Sequence, residues 1–391
     1  MTNGWTGGQY SLVRIVLAAC MLGGGVALVA TEGGWAWAAL ALIAPPAAAL
    51  ALGWHDRVAA AVLLVLWSAT LLLTRGVLLG EVTAWHWPLL VALTAHLLVP
   101  PAPYGSLDAR GRLDPAGGWR ITAWTWGGIW AVIALAHLAW GIAMARQETW
   151  RLGDALFVNG RGVDLPEMVA RGLTWWLLGA WLLLAPLAAL PTTRAAGWAL
   201  AAGASVIVLP LAGHGAAALA LLPVYLMTFD PCWVVSRGPR HDAAPLLHRV
   251  LRERPPAGAE VVFYDGNCGL CHHFVRFVLA EDAAGDRFVF APLGGERFRE
   301  LVPAPDRDAL PDSVVVRRAD GTLLVRSAAT MHVLASLGGL WRVAAWVGAA
   351  APRAVRDAAY DAIAAVRHRL FAPPVEACPL LPAELRGRFA A

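Results

Sequence analysis

Residues 260–281 decide how this chain is read: Glu260-Val-Val-Phe-Tyr-Asp-Gly-Asn-Cys-Gly-Leu-Cys271, then His272-His-Phe-Val-Arg-Phe-Val-Leu-Ala-Glu281. Glu260–Tyr264 is rich in β-branched and aromatic residues, the composition of a short strand. Asp265-Gly-Asn is turn chemistry. Beyond it, Phe274, Phe277 and Val278 recur at helical spacing. Cys268 therefore stands at a helix N-terminus, where unpaired N–H groups and the helix dipole stabilise a thiolate, the attacking species in disulfide exchange. Cys271 lies about one turn further on, within reach of a mixed disulfide. The spacing predicts Cys268 as an exposed nucleophile and Cys271 as the resolving thiol. Asp265, three residues earlier, either forms the turn or handles the proton of Cys271.

The stretch that follows keeps alternating. Arg287-Phe-Val-Phe-Ala291 reads as a strand, and Ser313–Arg317 and Thr322–Val325 as two strands joined by the hairpin dipeptide Asp320-Gly321. Helices are expected over 328–337, capped by Ser327, and over 352–371, with Pro352 at the start. A βαβ order, then a hairpin, then helices predicts a small α/β domain around a central sheet. The cysteines admit other chemistry. Cys268 to His272 matches the attachment pattern of c-type haem. Cys268, Cys271, His272 or His273, and Cys378 would compose a zinc site. A pair of core cysteines is the plainest alternative.

Tyr264-Asp-Gly-Asn-Cys-Gly-Leu-Cys271 resembles the motif of the DCC family of thiol–disulfide oxidoreductases, named for the spaced Asp265, Cys268 and Cys271. The likeness continues through Asp312-Ser-Val-Val-Val, Asp320-Gly321, Arg326-Ser-Ala-Ala, Arg353 to Tyr360-Asp, Arg367 to Phe371, Cys378 and Arg386-Gly-Arg-Phe389. It implies a thioredoxin-like fold with dithiol–disulfide redox activity, and the substrate does not come with it; the expectation is no cofactor beyond the dithiol and, as partner, a disulfide-bearing protein or small-molecule thiol. Thioredoxin-like proteins place a cis-proline opposite the dithiol, just before a strand. Pro311 lies 40 residues after Cys271 and precedes the strand at 313, so it is the candidate.

Composition separates this domain from what precedes it. The chain has 391 residues, 58% of them hydrophobic and 15% charged, against about 25% charged in a soluble domain; mean hydropathy is +0.57. Those values exclude a disordered chain, a collagen and a small disulfide scaffold. Residues 1–235 hold 11 of the 31 arginines and 18 of the 20 tryptophans, as expected of a membrane-embedded region with aromatic residues at its boundaries. The expected organisation is a multi-pass helical membrane domain over 1–235, a basic linker over 236–258 with a short surface helix at 243–253, and a thioredoxin-like domain over 259–391. Apolar segments fall at about 12–30, 35–53, 58–79, 84–99, 121–145, 169–190, 195–211 and 214–230, the last two readable as one broken helix. All the positive charge is arginine, since the chain has no lysine. No arginine cluster interleaved with aromatics points to nucleic acid.

The arginines favour an orientation with both ends inside. Arg14, Arg57, Arg110, Arg112, Arg120 and Arg194 then face the cytoplasm with the redox domain, and Arg75, Arg146, Arg151 and Arg161 face outside. The apolar half resembles the horizontally transferred transmembrane family, which includes the membrane part of vitamin K-dependent carboxylases. That likeness rests on Trp124 to Trp130, His137 to Trp140, Trp150 to Asp154, Leu211 to His214 and Phe229 to Trp233. The carboxylases use a lysine as catalytic base, so carboxylation is not expected here. Ionisable residues at membrane depth are functional candidates: His96, His137 and His214, with His86 and Asp230 nearer an interface. A pair such as His96 and His137 would suit a haem or a quinone head group; each also suits a hydrogen bond within a bundle. Cys20 and Cys232 form no second dithiol motif. The expected function is a membrane-anchored thiol–disulfide oxidoreductase. The alternatives are a transporter or lipid- or quinone-linked membrane enzyme with a redox-sensing soluble domain, and a scaffold with an inert dithiol.

Overall fold

A computed structural model describes residues 3–73, 86–159, 165–234, 258–282, 284–371, 385 and 387–389. The chain divides into two compact units. One comprises residues 1–3, 10–108 and 120–230; the other comprises residues 4–9, 109–119 and 231–391.

The first unit is helical: α1 (Gly7–Glu32, whose first turn groups with the other unit), α2 (Gly34–Leu52), α3 (Asp56–Leu73), α4 (His86–Leu98), α5 (Ala123–Ala145), the short α6 (Glu148–Arg151) and α7 (Ala155–Asn159), α8 (Glu167–Ala189), α9 (Pro191–Leu211) and α10 (Gly215–Thr228). Among the described residues, six helices are long and apolar enough to cross a membrane: α1, α2, α3, α5, α8 and α9. The segments expected at 84–99 and 214–230 form the shorter apolar helices α4 and α10. The break between α9 and α10 falls at Ala212-Gly-His214. Pro45, Pro46, Pro186, Pro210 and Pro223 lie inside helices; packing against neighbouring helices offsets the backbone bonds they remove.

Several charged and polar side chains are buried inside this unit. Arg14, expected in a cytoplasmic segment, is instead fully buried within α1. Its guanidinium fills space beside Gly53, where a Cβ would lie 1.6 Å from Nη1 and φ is +67°; only glycine suits both the close approach and the left-handed turn. His137 Nδ1 bonds the Ile133 carbonyl at 2.8 Å, so that nitrogen carries the proton, and Nε2 accepts from the Tyr225 hydroxyl at 2.9 Å. Tyr225 also contacts the Ser205 hydroxyl at 2.7 Å, and Trp181 Nε1 donates to Ser205 at 2.9 Å. His96 Nδ1 bonds the Tyr10 hydroxyl at 2.7 Å. The two histidines thus answer to different tyrosines. His214, the N-cap of α10, is exposed and makes no side-chain capping bond.

The second unit is built on β1 (Glu260–Tyr264), α11 (Gly269–Glu281), β2 (Phe288–Pro292), α12 (Glu296–Leu301), α13 (Ala304–Ala309), β3 (Val315–Arg317), β4 (Leu323–Val325), α14 (Arg326–Leu337), α15 (Gly339–Ala349) and α16 (Arg353–Leu370). The sheet order is β2-β1-β3-β4. β1 runs parallel to β2 with Val262 opposite Phe290, and antiparallel to β3 with Val262 opposite Val316. β3 and β4 form the hairpin, where Gly321 has φ +86° and Thr322 N–H donates to Asp320 Oδ1 at 2.9 Å. This mixed four-strand sheet is that of a thioredoxin-like domain.

Side-chain alternation between two covered faces explains why β1 is apolar from Val261 onward. Val262 and Tyr264 face α11 and α14, in one core with Phe288, Phe290, Val316, Val278 and Val333. Val261 and Phe263 face the opposite layer with Ala291, Val315, Phe298 and Val302. Full burial of a side chain such as Phe263 contributes about 2–3 kcal/mol. Phe389 in the tail forms a parallel bridge with Phe290, and Arg388 reaches the buried Asp282 at 2.7 Å. The helix expected at 328–337 begins at Arg326, and Ser327 is not its cap. Instead the Asp357 carboxylate of α16 accepts the Ser327 N–H at 3.3 Å and its hydroxyl hydrogen, so a distant residue does the capping. The linker helix expected at 243–253 and Cys378 lie outside the described residues.

Candidate active site

The site grows from the end of β1. Asp265 Oδ1 accepts the Asn267 N–H at 2.9 Å, and the Asp265 carbonyl accepts the Cys268 N–H at 3.2 Å. That closes a tight turn and sets Cys268 in extended conformation (φ −100°, ψ 115°) as the N-cap of α11. The Cys268 sulfur then does what a capping oxygen does elsewhere: it accepts the Cys271 N–H at 3.3 Å. An amide donor and the positive end of a 13-residue helix both meet this sulfur, and both favour negative charge on it.

Cys271 differs. Burial, then its hydrogen bond to Cys268, pushes its thiol up to about 12. The two sulfurs therefore sit in unlike environments one helical turn apart, and both cysteines are free thiols. The turn reading of Asp265 fits its bond to Asn267, and its carboxylate also acts electrostatically on Cys271.

Two expectations need correction. Cys268 is fully buried, 0% exposed, where an exposed nucleophile was expected; it belongs to the core that includes Tyr264, Val275 and Leu385. Among the described residues every peptide bond is trans, the Leu310–Pro311 bond included. Pro311 nevertheless stands half-buried just before β3, with Asp312 next to it.

His272 is turned back onto the motif. Its Nε2 donates to the Gly266 carbonyl at 2.9 Å, and its ring meets Tyr264 edge-on. His273 instead meets the ring of Phe371. Among the described residues no group of three or more His, Cys, Asp or Glu side chains is placed to hold a metal ion.

One residue that the family likeness included without a role belongs to this site. Arg367 of α16, with a side chain 7% exposed, places Nη2 at 2.7 and 2.8 Å from the two oxygens of Asp312 and at 3.8 Å from Asp265. Tyr360, seven residues earlier on the same helix face, accepts the Val314 N–H at 3.0 Å. Together they tie the approach to β3 to the dithiol turn. The sequence signal was the family likeness at both positions, which named the residues and not what they touch.

The sequence model of the DCC1-like thiol-disulfide oxidoreductase family matches residues 262–373. An uncharacterized Bacillus subtilis (strain 168) protein, YuxK, is 32% identical over 133 residues, which are 33% of this chain and 92% of that protein. Through its C-terminal domain the chain belongs to the DCC1-like thiol-disulfide oxidoreductase family. The match takes up nearly all of the Bacillus protein. No solved structure matches the chain.

Proposed function

We propose that this DCC1-like chain is a membrane-anchored thiol–disulfide oxidoreductase in which Cys268 attacks and Cys271 resolves. The observation that carries the reading is the 3.3 Å bond from the Cys271 N–H to the Cys268 sulfur at the start of α11. The Cys268 thiolate attacks one sulfur of a partner disulfide. A Cys268–partner bond forms, the partner S–S bond breaks, and the leaving sulfur takes a proton. Cys271 then loses its proton, with Asp265 the nearby carboxylate, and attacks Cys268. An intrachain disulfide forms and the second partner thiol departs. Two electrons pass from the dithiol to the partner. The reverse sequence oxidises a partner dithiol, and a second thiol–disulfide couple resets the enzyme in either direction.

The buried Cys268 implies that its cover opens before attack, and we assign Pro311, by the likeness to thioredoxin-like proteins, to the side of the dithiol that meets the partner chain. The helical unit anchors the domain and offers a dock for a protein or a lipid-soluble carrier. The arginine distribution favours the cytoplasmic side for the redox domain. The test is disulfide reduction by the full chain in detergent micelles. Cys268→Ser is expected to abolish it; retained reduction would overturn the assignment.

A further inference from the structure

We propose that Arg367 is a positioning residue for the dithiol: its buried guanidinium, held between Asp312 and Asp265, balances the carboxylates around Cys268 so that the sulfur can ionise. This rests on the oxidoreductase reading above and adds to it the residue that sets the charge of the site. The titratable and charged groups around the dithiol turn come from four places. Asp265 is in the turn after β1, His272 is on α11, Asp312 precedes β3, and Tyr360 and Arg367 are on α16. His272 is committed to the Gly266 carbonyl and Tyr360 to the Val314 N–H. Arg367 is therefore the cation available to oppose the two carboxylates.

Its setting suits that role. The Nε of Arg367 is buried and makes no hydrogen bond among the described residues, so a donor remains for developing negative charge. Burial works against the charge on Arg367, but the Asp312 bonds and the nearby Cys268 and Cys271 sulfurs outweigh it and raise its pKa. The cation thus stays fixed through the reaction. In the step it assists, the Cys268 S–H bond breaks, the proton passes to a solvent base, and the electron pair stays on sulfur. Remove Arg367 and the Asp265 carboxylate acts on the dithiol without that cation, and like charge opposes a negative sulfur.

The experiment is the pH profile of Cys268 alkylation by iodoacetamide in the reduced full chain in detergent, read by peptide mass spectrometry. In Arg367→Gln the pH of half-maximal rate is expected to rise by about one unit, roughly a tenfold loss of alkylation at neutral pH. Arg367→Lys should recover most of it. Asp312→Asn, which removes the competing carboxylate and keeps the cation, should shift the profile the other way. If Arg367→Gln fails to fold, the Asp312→Asn shift decides alone. An unchanged profile in the folded variants would overturn the inference and leave a structural ion pair. Cys268→Ser keeps the two readings apart: if it still reduces disulfides, the oxidoreductase assignment fails. If it is inactive while the alkylation profiles do not move, only the role of Arg367 fails.

Discussion

The carboxylate of Glu281, the last residue of the redox helix α11, accepts the backbone N–H of Gly8 at 2.8 Å across 273 residues of chain. The Thr6 hydroxyl and Trp341 Nε1 donate to the same carboxylate. A fully buried acid with three donors is a clasp between the first residues of the chain and the far end of the helix whose start carries Cys268.

Removing that acceptor should be costly. Glu281→Ala leaves the Gly8 N–H and the Trp341 indole N–H without their partner, a loss of about 2–4 kcal/mol. Thermal unfolding of the full chain in detergent should show a clear fall in Tm, with Glu281→Gln intermediate because its amide oxygen still accepts. The pH dependence has a definite sign. Burial raises the Glu281 carboxyl above the usual carboxylate range, against the pull of its donors. The folded state therefore binds this proton more tightly than the unfolded state. The corresponding stability is present below about pH 4.3 and is lost as pH rises through the folded value. Glu281→Gln should flatten that slope.

Asp357 makes the opposite case. The hydrogen bond from the Ser327 hydroxyl holds its carboxyl below the usual range, so its contribution is present above about pH 3.9 and lost as pH falls through the folded value. Asp357→Ala removes the cap of α14 and should cost about 1 kcal/mol, read as faster amide exchange in the first turn of that helix.

The helical unit gives a separate prediction. His137 spends both ring nitrogens on Ile133 and Tyr225. His137→Ala should therefore lower the thermal stability of the chain while leaving disulfide reduction by the redox domain within about twofold. A complete loss of reduction in a folded His137→Ala chain would place the chemistry in the bundle instead.

What the sequence disclosed depended on distance along the chain. The β1 run, the turn, the start of α11, the Asp320-Gly321 hairpin and the apolar segments are local patterns, and where residues are described the helices found lie within a few residues of them, with α1 beginning earlier, at Gly7. Helices α12 and α13, six residues each, carry too few turns for a period to show; α12 is held by the burial of Phe298. The burial of Cys268, the capping of α14 by Asp357, the withdrawal of Arg14 into α1 and the grip of Arg367 on Asp312 all join residues distant in sequence. Each depends on which elements meet, and a motif does not carry that. The trans bond before Pro311 shows the same limit: spacing located the proline, and only the fold set its isomer.

The central claim is an asymmetry between two sulfurs one helical turn apart, and a mixed-disulfide trap in cells measures it most directly. In the Cys271→Ala chain, a partner disulfide should accumulate on Cys268 and vanish on adding thiol reductant, whereas the Cys268→Ala chain should trap nothing. Equal trapping by both variants, or a partner held on Cys271 alone, would contradict the assignment of nucleophile and resolving thiol.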